Sequence, residues 1–280
     1  MPNKKLPPEL LLEISKYLTL TEFIQYIETE NITNKRMIRY VLQESNHTID
    51  SYEELRYLIN NEYVDNFENF SFNEDHVFDE ENILYQAIIH NDQRAVEAIL
   101  EFSNLYENIR IPHSRGDHEN ILNIFVNERS PIELAMLENN FNITELLLST
   151  NNIIVTDDLL MNMVYNNVSL DIIELFINST EVDLNICLND TTALINAVEN
   201  NSYEMVELLL TNGADPNIQT EGRRSLRITA LIVAVQNNME DIVELLLNYD
   251  ANRDIENRRG KIAMDYAIEN NNLRIIQLLE

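Results

Sequence analysis

The strongest constraint in this sequence is that it repeats itself. "TALINAVENNSYEMVELLLTNGADPN" starts at Thr192, "TALIVAVQNNMEDIVELLLNYDANRD" at Thr229, and "IAMDYAIENNNLRIIQLLE" at Ile262. Upstream, "SPIELAMLENNFNITELLLS" from Ser130 and "NILYQAIIHNDQRAVEAILE" from Asn82 follow the same plan, and "DDLLMNMVYNNVSLDIIELFI" does so with one extra residue. About six units result. Periods of this length mark stacked supersecondary units that cannot bury their apolar surface alone.

Each unit reads as two short antiparallel helices. Small Ala87, Ala135, Ala197, Ala234 and Ala267 lie on the first, where they let neighbouring units approach. The second carries an i, i+3, i+4 apolar stripe, as in Met205, Leu208 and Leu209 or Ile242, Leu245 and Leu246, with Val206 and Leu210 left to meet the next unit. The turn between them needs a residue with positive φ. The chain has only four glycines and none fills that slot, which holds Asn91, Asn139, Asn167, Asn201, Asn238 and Asn271. Asn tolerates the left-handed region best among ordinary residues. Ser130-Pro131-Ile132-Glu133 reads as a capping box with Pro at the first helical position, Thr192 and Thr229 as equivalent caps, and Gly213 as a helix terminator.

These residues resemble the ankyrin repeat over roughly residues 78 to 280. The Thr-Pro-Leu-His-x-Ala element of that family corresponds to Thr192-Ala193-Leu194-Ile195-Asn196-Ala197, Thr229-Ala230-Leu231-Ile232-Val233-Ala234 and Ser130-Pro131-Ile132-Glu133-Leu134-Ala135, with the family His absent throughout. "VELLLTNGADPN" is similar to its second helix and loop. The resemblance implies an all-α solenoid with hairpin fingers along one edge and a concave surface that binds other proteins.

Residues 1–48 follow a different pattern. In "LPPELLLEISKYL", Pro7 and Pro8 open a helix, and Leu6, Leu10, Ile14 and Leu18 recur every four residues as a stripe in need of an apolar partner. Thr19 and Glu22 form a capping box for "TEFIQYIE", and a third helix follows in "NKRMIRYVLQES". The opening Leu-Pro-x-Glu-apolar…Ile…Tyr-Leu pattern resembles the F-box. That resemblance implies docking onto a Skp1-like adaptor of a cullin-based ubiquitin ligase, with Leu6, Pro7, Leu10, Ile14 and Leu18 at or beneath the contact. Without it, the same amphipathic hairpin is a cap on the first repeat. Residues 49–77 read as an acidic, aromatic connector with one helix, Tyr52 to Ile59, and residues 103–128 as a loop inserted between repeats.

Charge limits the partners. Forty-eight acidic against nineteen basic residues give a net charge of −29, which repels phosphate backbones and anionic lipid, so neither nucleic acid nor membrane is an expected partner. From Gly116 to Gly222 the only basic residue is Arg129. Then Arg223, Arg224, Arg227, Arg253, Arg258, Arg259 and Lys261 crowd the segments between repeats. Those segments form finger tips in the expected geometry, so the seven residues are candidates for binding an acidic or phosphorylated protein. A single cysteine, Cys187, excludes an internal disulfide, and no phosphate loop, nucleophile elbow or zincin helix occurs. His113, Asp117 and His118 share the inserted loop but lack a further placed ligand. No cofactor and no catalysis are expected. The sequence predicts an intracellular binding protein, cytoplasmic or nuclear, in its own or a host cell, that recruits a protein substrate to a ubiquitin ligase. The alternative is a repeat scaffold with no ubiquitin role.

Overall fold

The computed structural model describes residues 6–45, 47–64, 71–72, 83–105, 111–112, 118–119, 130–150, 158–188, 190–220 and 226–280. The chain divides into two compact units, Met1–Ile153 and Ile154–Glu280. Strand structure among the described residues is confined to two-residue segments. These are β1 (Thr48–Ile49) paired parallel with β2 (Ser71–Phe72), β3 (Ile111–Pro112) paired antiparallel with β4 (His118–Glu119), and an isolated bridge between Leu188 and Thr191. Everything else with regular structure is helical.

The first unit opens with α1 (Pro8–Ser15), α2 (Leu20–Thr29) and α3 (Lys35–Ser45). Pro7 and Pro8 start α1 where amide donors are dispensable. Thr19 and Glu22 form the reciprocal capping box that starts α2. Leu11 and Ser15 are buried as α1 packs on α3, and Leu20, Phe23 and Ile27 of α2 and Ile38, Val41 and Leu42 of α3 are buried as well. The expected connector helix is α4 (Tyr52–Asn60), capped by Ser51. Two polar residues are buried here. Glu54 is 6% exposed, its carboxylate accepting from the Asp50 amide at 2.7 Å and from the Thr21 hydroxyl. His47 is equally buried, its ring stacked on Phe23 at 5.6 Å.

The unit then forms the helix pairs α5 (Ile83–Ile89) with α6 (Gln93–Leu105) and α7 (Pro131–Leu137) with α8 (Phe141–Leu148). First helix stacks on first helix and second on second, and α4 covers the outer side of α5 and α6. The Asn140 carboxamide donates to the Ile88 carbonyl at 2.8 Å, tying the two pairs together. Most of the insertion 103–128, including His113 and Asp117, lies outside the described residues.

The second unit is four such pairs: α9 (Leu159–Tyr165) with α10 (Leu170–Ser179), α11 (Ala193–Glu199) with α12 (Tyr203–Thr211), α13 (Ala230–Gln236) with α14 (Glu240–Asn248), and α15 (Ala263–Glu269) with α16 (Leu273–Leu279). Leu194 and Leu231 are 2% and 1% exposed, and Ala197, Ala234 and Ala267 are fully buried at the seams between first helices. Thr192 and Thr229 hydroxyls accept the Ile195 and Ile232 amides. Met205, Val206, Leu209 and Leu210 are buried, and Leu208 only half so.

All six turn asparagines adopt positive φ, between 51° and 57°. Their backbones close the turn in one way: the amide of Asn201 donates to Val198 and that of Ser202 to Ala197, at 2.9 and 3.2 Å, with equivalents at the other turns. Gly213 (φ 98°) ends α12 in the same left-handed region.

Candidate protein-interaction site

Two surfaces emerge from this framework. The first lies on the fingers of the second unit. Their bases are held by a ladder of asparagine side chains: Asn185 Oδ1 accepts from the Asp215 amide at 2.8 Å, and Asn217 Oδ1 from the Asn252 amide at 2.7 Å. The finger before α13 is stapled to the one before α15. The Arg258 amide donates to the Leu226 carbonyl at 2.8 Å, and Gln219 Nε2 donates to the carbonyls of both Arg227 and Glu256. Arg227 is itself at positive φ (55°) and returns a hydrogen bond to Gln219 Oε1.

The basic residues there divide by role. Arg253 Nη1 donates to the Leu279 carbonyl, capping the last turn of α16. Lys261 pairs with Glu269 at 2.5 Å and sits over the Tyr266 ring, and that hydrogen-bonded carboxylate raises its ammonium pKa. Arg227, Arg258 and Arg259 are exposed on the two stapled loops. Arg223 and Arg224 lie outside the described residues.

The second surface is α1. Leu11 and Ser15 face α3, which turns the neighbouring side chains outward: Leu10 is 51% and Tyr17 83% exposed. Pro7 is exposed, and Leu6, Ile14 and Leu18 are half-buried. The stripe expected to need an apolar partner is therefore not the face with which α1 packs on the rest of the chain.

A family model described as ankyrin repeats, in three copies, matches residues 132–220 and 219–280. The chain belongs to the ankyrin-repeat family. Solved structures of ankyrin-repeat proteins superpose on it. One is the ankyrin repeat protein EF0377, at 23% identity and TM-score 0.52, covering 70% of this chain and 95% of that one. Another is the ankyrin repeat domain of Bcl-3, a member of the IkappaB family, at 19% and 0.51, covering 70% and 96%. A third is an ankyrin repeat domain from Acinetobacter baumannii AYE, at 21% and 0.54, covering 70% and 95%. At these identities the likeness establishes the fold. No curated protein matches by sequence.

An ankyrin-repeat chain is a protein–protein interaction module, and the geometry agrees with that role: hydrogen-bonded finger bases present exposed tips. No group of three or more potential metal-binding side chains occurs among the described residues, nor any helix long and apolar enough to cross a membrane. The sequence reading missed the first residue of each Asn pair. Asn200 Nδ2 donates back to the Val164 carbonyl at 3.0 Å, and Asn270 Nδ2 to the Val235 carbonyl at 3.0 Å. The recurrence of Asn-Asn rather than a single Asn was the available signal.

Proposed function

We propose that this ankyrin-repeat protein is a substrate-recruiting adaptor of a Skp1-cullin-F-box type ubiquitin ligase. The segment built around α1 docks a Skp1-like adaptor through Leu6, Pro7, Leu10, Ile14 and Leu18, and the repeat fingers hold the protein to be modified. Transfer chemistry then belongs to other subunits.

One observation carries the reading: apolar surface at Leu10 and Tyr17 is left exposed at the N-terminal helix. Covering the outer side of the first repeat falls to α4, which packs on α5 and α6, while α1 packs chiefly on α3 through Leu11 and Ser15. A hairpin whose task was only to cap the stack would turn its stripe inward. Leaving Leu10 half exposed and Tyr17 almost wholly so forgoes the roughly 25 cal/mol per Å2 that burial returns, a loss that a docking partner reverses.

On the fingers, Arg227, Arg258 and Arg259, with Arg223 and Arg224, are the residues for an acidic or phosphorylated substrate, since guanidinium groups pair bidentately with carboxylate and phosphate. Arg253 and Lys261 contribute more through Leu279 and Glu269 to holding the last repeat in place.

Titration calorimetry of the purified chain with recombinant Skp1 tests the reading. Saturable binding is expected, lost in Leu10→Asp and Ile14→Asp while the far-ultraviolet circular dichroism spectrum stays unchanged for Leu10→Asp. Absence of binding by the unaltered chain would leave a plain repeat scaffold.

A further inference from the structure

A cleft of about 540 Å3 opens between α4 and the turn joining α5 to α6, lined by Tyr52, Arg56, His90, Asp92, Arg94 and Glu97 among others. It lies apart from the outward stripe of α1, and none of its residues belongs to the finger loops. Its floor is fixed. The Tyr52 ring stacks on His90 at 5.0 Å and 26°, and the Tyr52 hydroxyl donates to Asp92 Oδ2 at 3.1 Å. Burial, reinforced by the Asp92 charge, pushes the Tyr52 phenol up to about 12, so it stays a protonated donor at neutral pH.

The acidic residues of the cleft already have partners. Asp92 Oδ1 accepts the Ala95 amide at 3.2 Å, leaving both of its oxygens engaged, and Glu97 accepts from Gln93 Nε2 at 2.8 Å. The arginines contrast with them. Arg56 and Arg94 are exposed and form no side-chain hydrogen bond or ion pair with another described residue.

Positive charge extends past the rim. Lys35 pairs with Glu62 at 3.1 Å, and Arg39 Nε donates to the Glu62 carbonyl at 2.6 Å. The Lys35 hydrogen bond chiefly lowers the Glu62 carboxyl pKa, with Arg39 and Arg94 adding to it, so Arg94 belongs to both groups. Of these four cations Arg56 and Arg94 line the cleft itself, beside Asp92 and Glu97, in a chain of net charge −29. Neither arginine holds α4 on the first repeat, a contact that rests on the buried Tyr52, Leu55 and Leu58.

We propose that this cleft is a recognition site for an acidic side chain, Asp or Glu, on an extended segment of a partner protein. Arg56 and Arg94 grip the carboxylate from the rim, and the stacked Tyr52–His90 pair supports its methylene groups. Charge-assisted pairing with arginine supplies the attraction. In an open cleft that attraction is weak for one side chain and screened by salt, so the site serves as a secondary contact adding to a larger interface.

The test uses the full chain and a fluorescein-labelled peptide of alternating Glu and Gly, read by anisotropy. Saturable binding is expected, weakened about tenfold in Arg56→Glu/Arg94→Glu and unchanged in Arg274→Glu, an exposed residue of α16 outside both proposed surfaces. It should also weaken as salt rises from roughly 0.05 to 0.3 M. Both substituted arginines are exposed, so thermal unfolding should match the unaltered chain. Equal binding of the Gln-for-Glu peptide, or full binding by Arg56→Glu/Arg94→Glu, would overturn the assignment. Tighter binding of a phosphoserine-for-Glu peptide by more than about tenfold would replace a carboxylate site with a phosphate site. Skp1 binding is indifferent to all of these outcomes, which keeps this test separate from that of the adaptor role.

Discussion

Replacing Asn201 isolates what an asparagine at positive φ is worth. Its φ is 53°, its side chain is exposed, and it makes no side-chain hydrogen bond with another described residue. Alanine at this position leaves every contact in place and alters only the conformational cost, which for an L-residue in the left-handed region is about 1–2 kcal/mol. Because Asn already bears part of that cost, Asn201→Ala should destabilise by about 1 kcal/mol. Asn201→Gly removes the steric cost but adds unfolded-state entropy of about 0.5–1 kcal/mol, so it should fall close to the unaltered protein. Asn238 (φ 57°) supplies the control, because its Oδ1 also accepts from Asn272 Nδ2 at 3.1 Å. There, Gly as well as Ala should lose a hydrogen bond worth about 1 kcal/mol, less in so exposed a position. Urea unfolding followed by circular dichroism and extrapolated linearly gives all four differences. If Asn201→Ala proved as stable as the original, or Asn201→Gly less stable than Asn201→Ala, the claim that these asparagines stand in for glycine would be refuted.

Leu231→Ala, at a 1% exposed position on α13, should cost about 3 kcal/mol through lost burial and the cavity left behind, whereas Leu226→Ala, 37% exposed on a finger, should change the urea midpoint little. Thr229→Ala should cost about 1 kcal/mol by leaving the Ile232 amide without its cap. His47 predicts a pH dependence. Burial lowers its pKa below the ordinary 6.5, so the unfolded chain binds a proton before the folded one does. Its contribution is complete above pH about 6.5 and declines as pH falls below that value, and a His47→Gln variant should show a flatter urea midpoint between pH about 7 and 5.

Much of this architecture is legible in the sequence because it rests on local rules. The turn asparagines, the Thr caps and the α4 helix follow from turn chemistry and capping geometry, each needing only neighbouring residues. What the pattern of α1 hides is which face is buried. Leu6, Leu10, Ile14 and Leu18 recur every four residues, but a helix turns once in about 3.6, so successive members drift by about 40° and do not share a single face. The helix also ends at Ser15, leaving Leu18 beyond it. Against α3 the fold places Leu11, which the period-four reading skips. Glu54 and His47 were illegible for another reason. Their burial depends on Thr21, Asp50 and Phe23, contributed by other elements, and neither identity nor spacing announces such partners.

The Asn pairs explain how so glycine-poor a repeat array keeps one geometry. In Asn200-Asn201 the second residue reverses the chain, while the first donates its carboxamide to the preceding repeat, at the Val164 carbonyl. Asn270-Asn271 divides the work in the same way, reaching Val235. In Asn237-Asn238 the tie closes instead within its own helix, on Val233, so the repeats do not all use the contact alike. A second carboxamide series, at Asn185 and Asn217, fixes the finger bases by accepting backbone amides from the next finger. Helix turns and finger bases are thereby both specified by side chains that reach only one repeat away. The segments outside these ties are free to vary without disturbing the stack. The loops that carry Arg227, Arg258 and Arg259 are themselves tied, through the Leu226 and Arg227 carbonyls and the Arg258 amide, so these arginines stand on a fixed backbone.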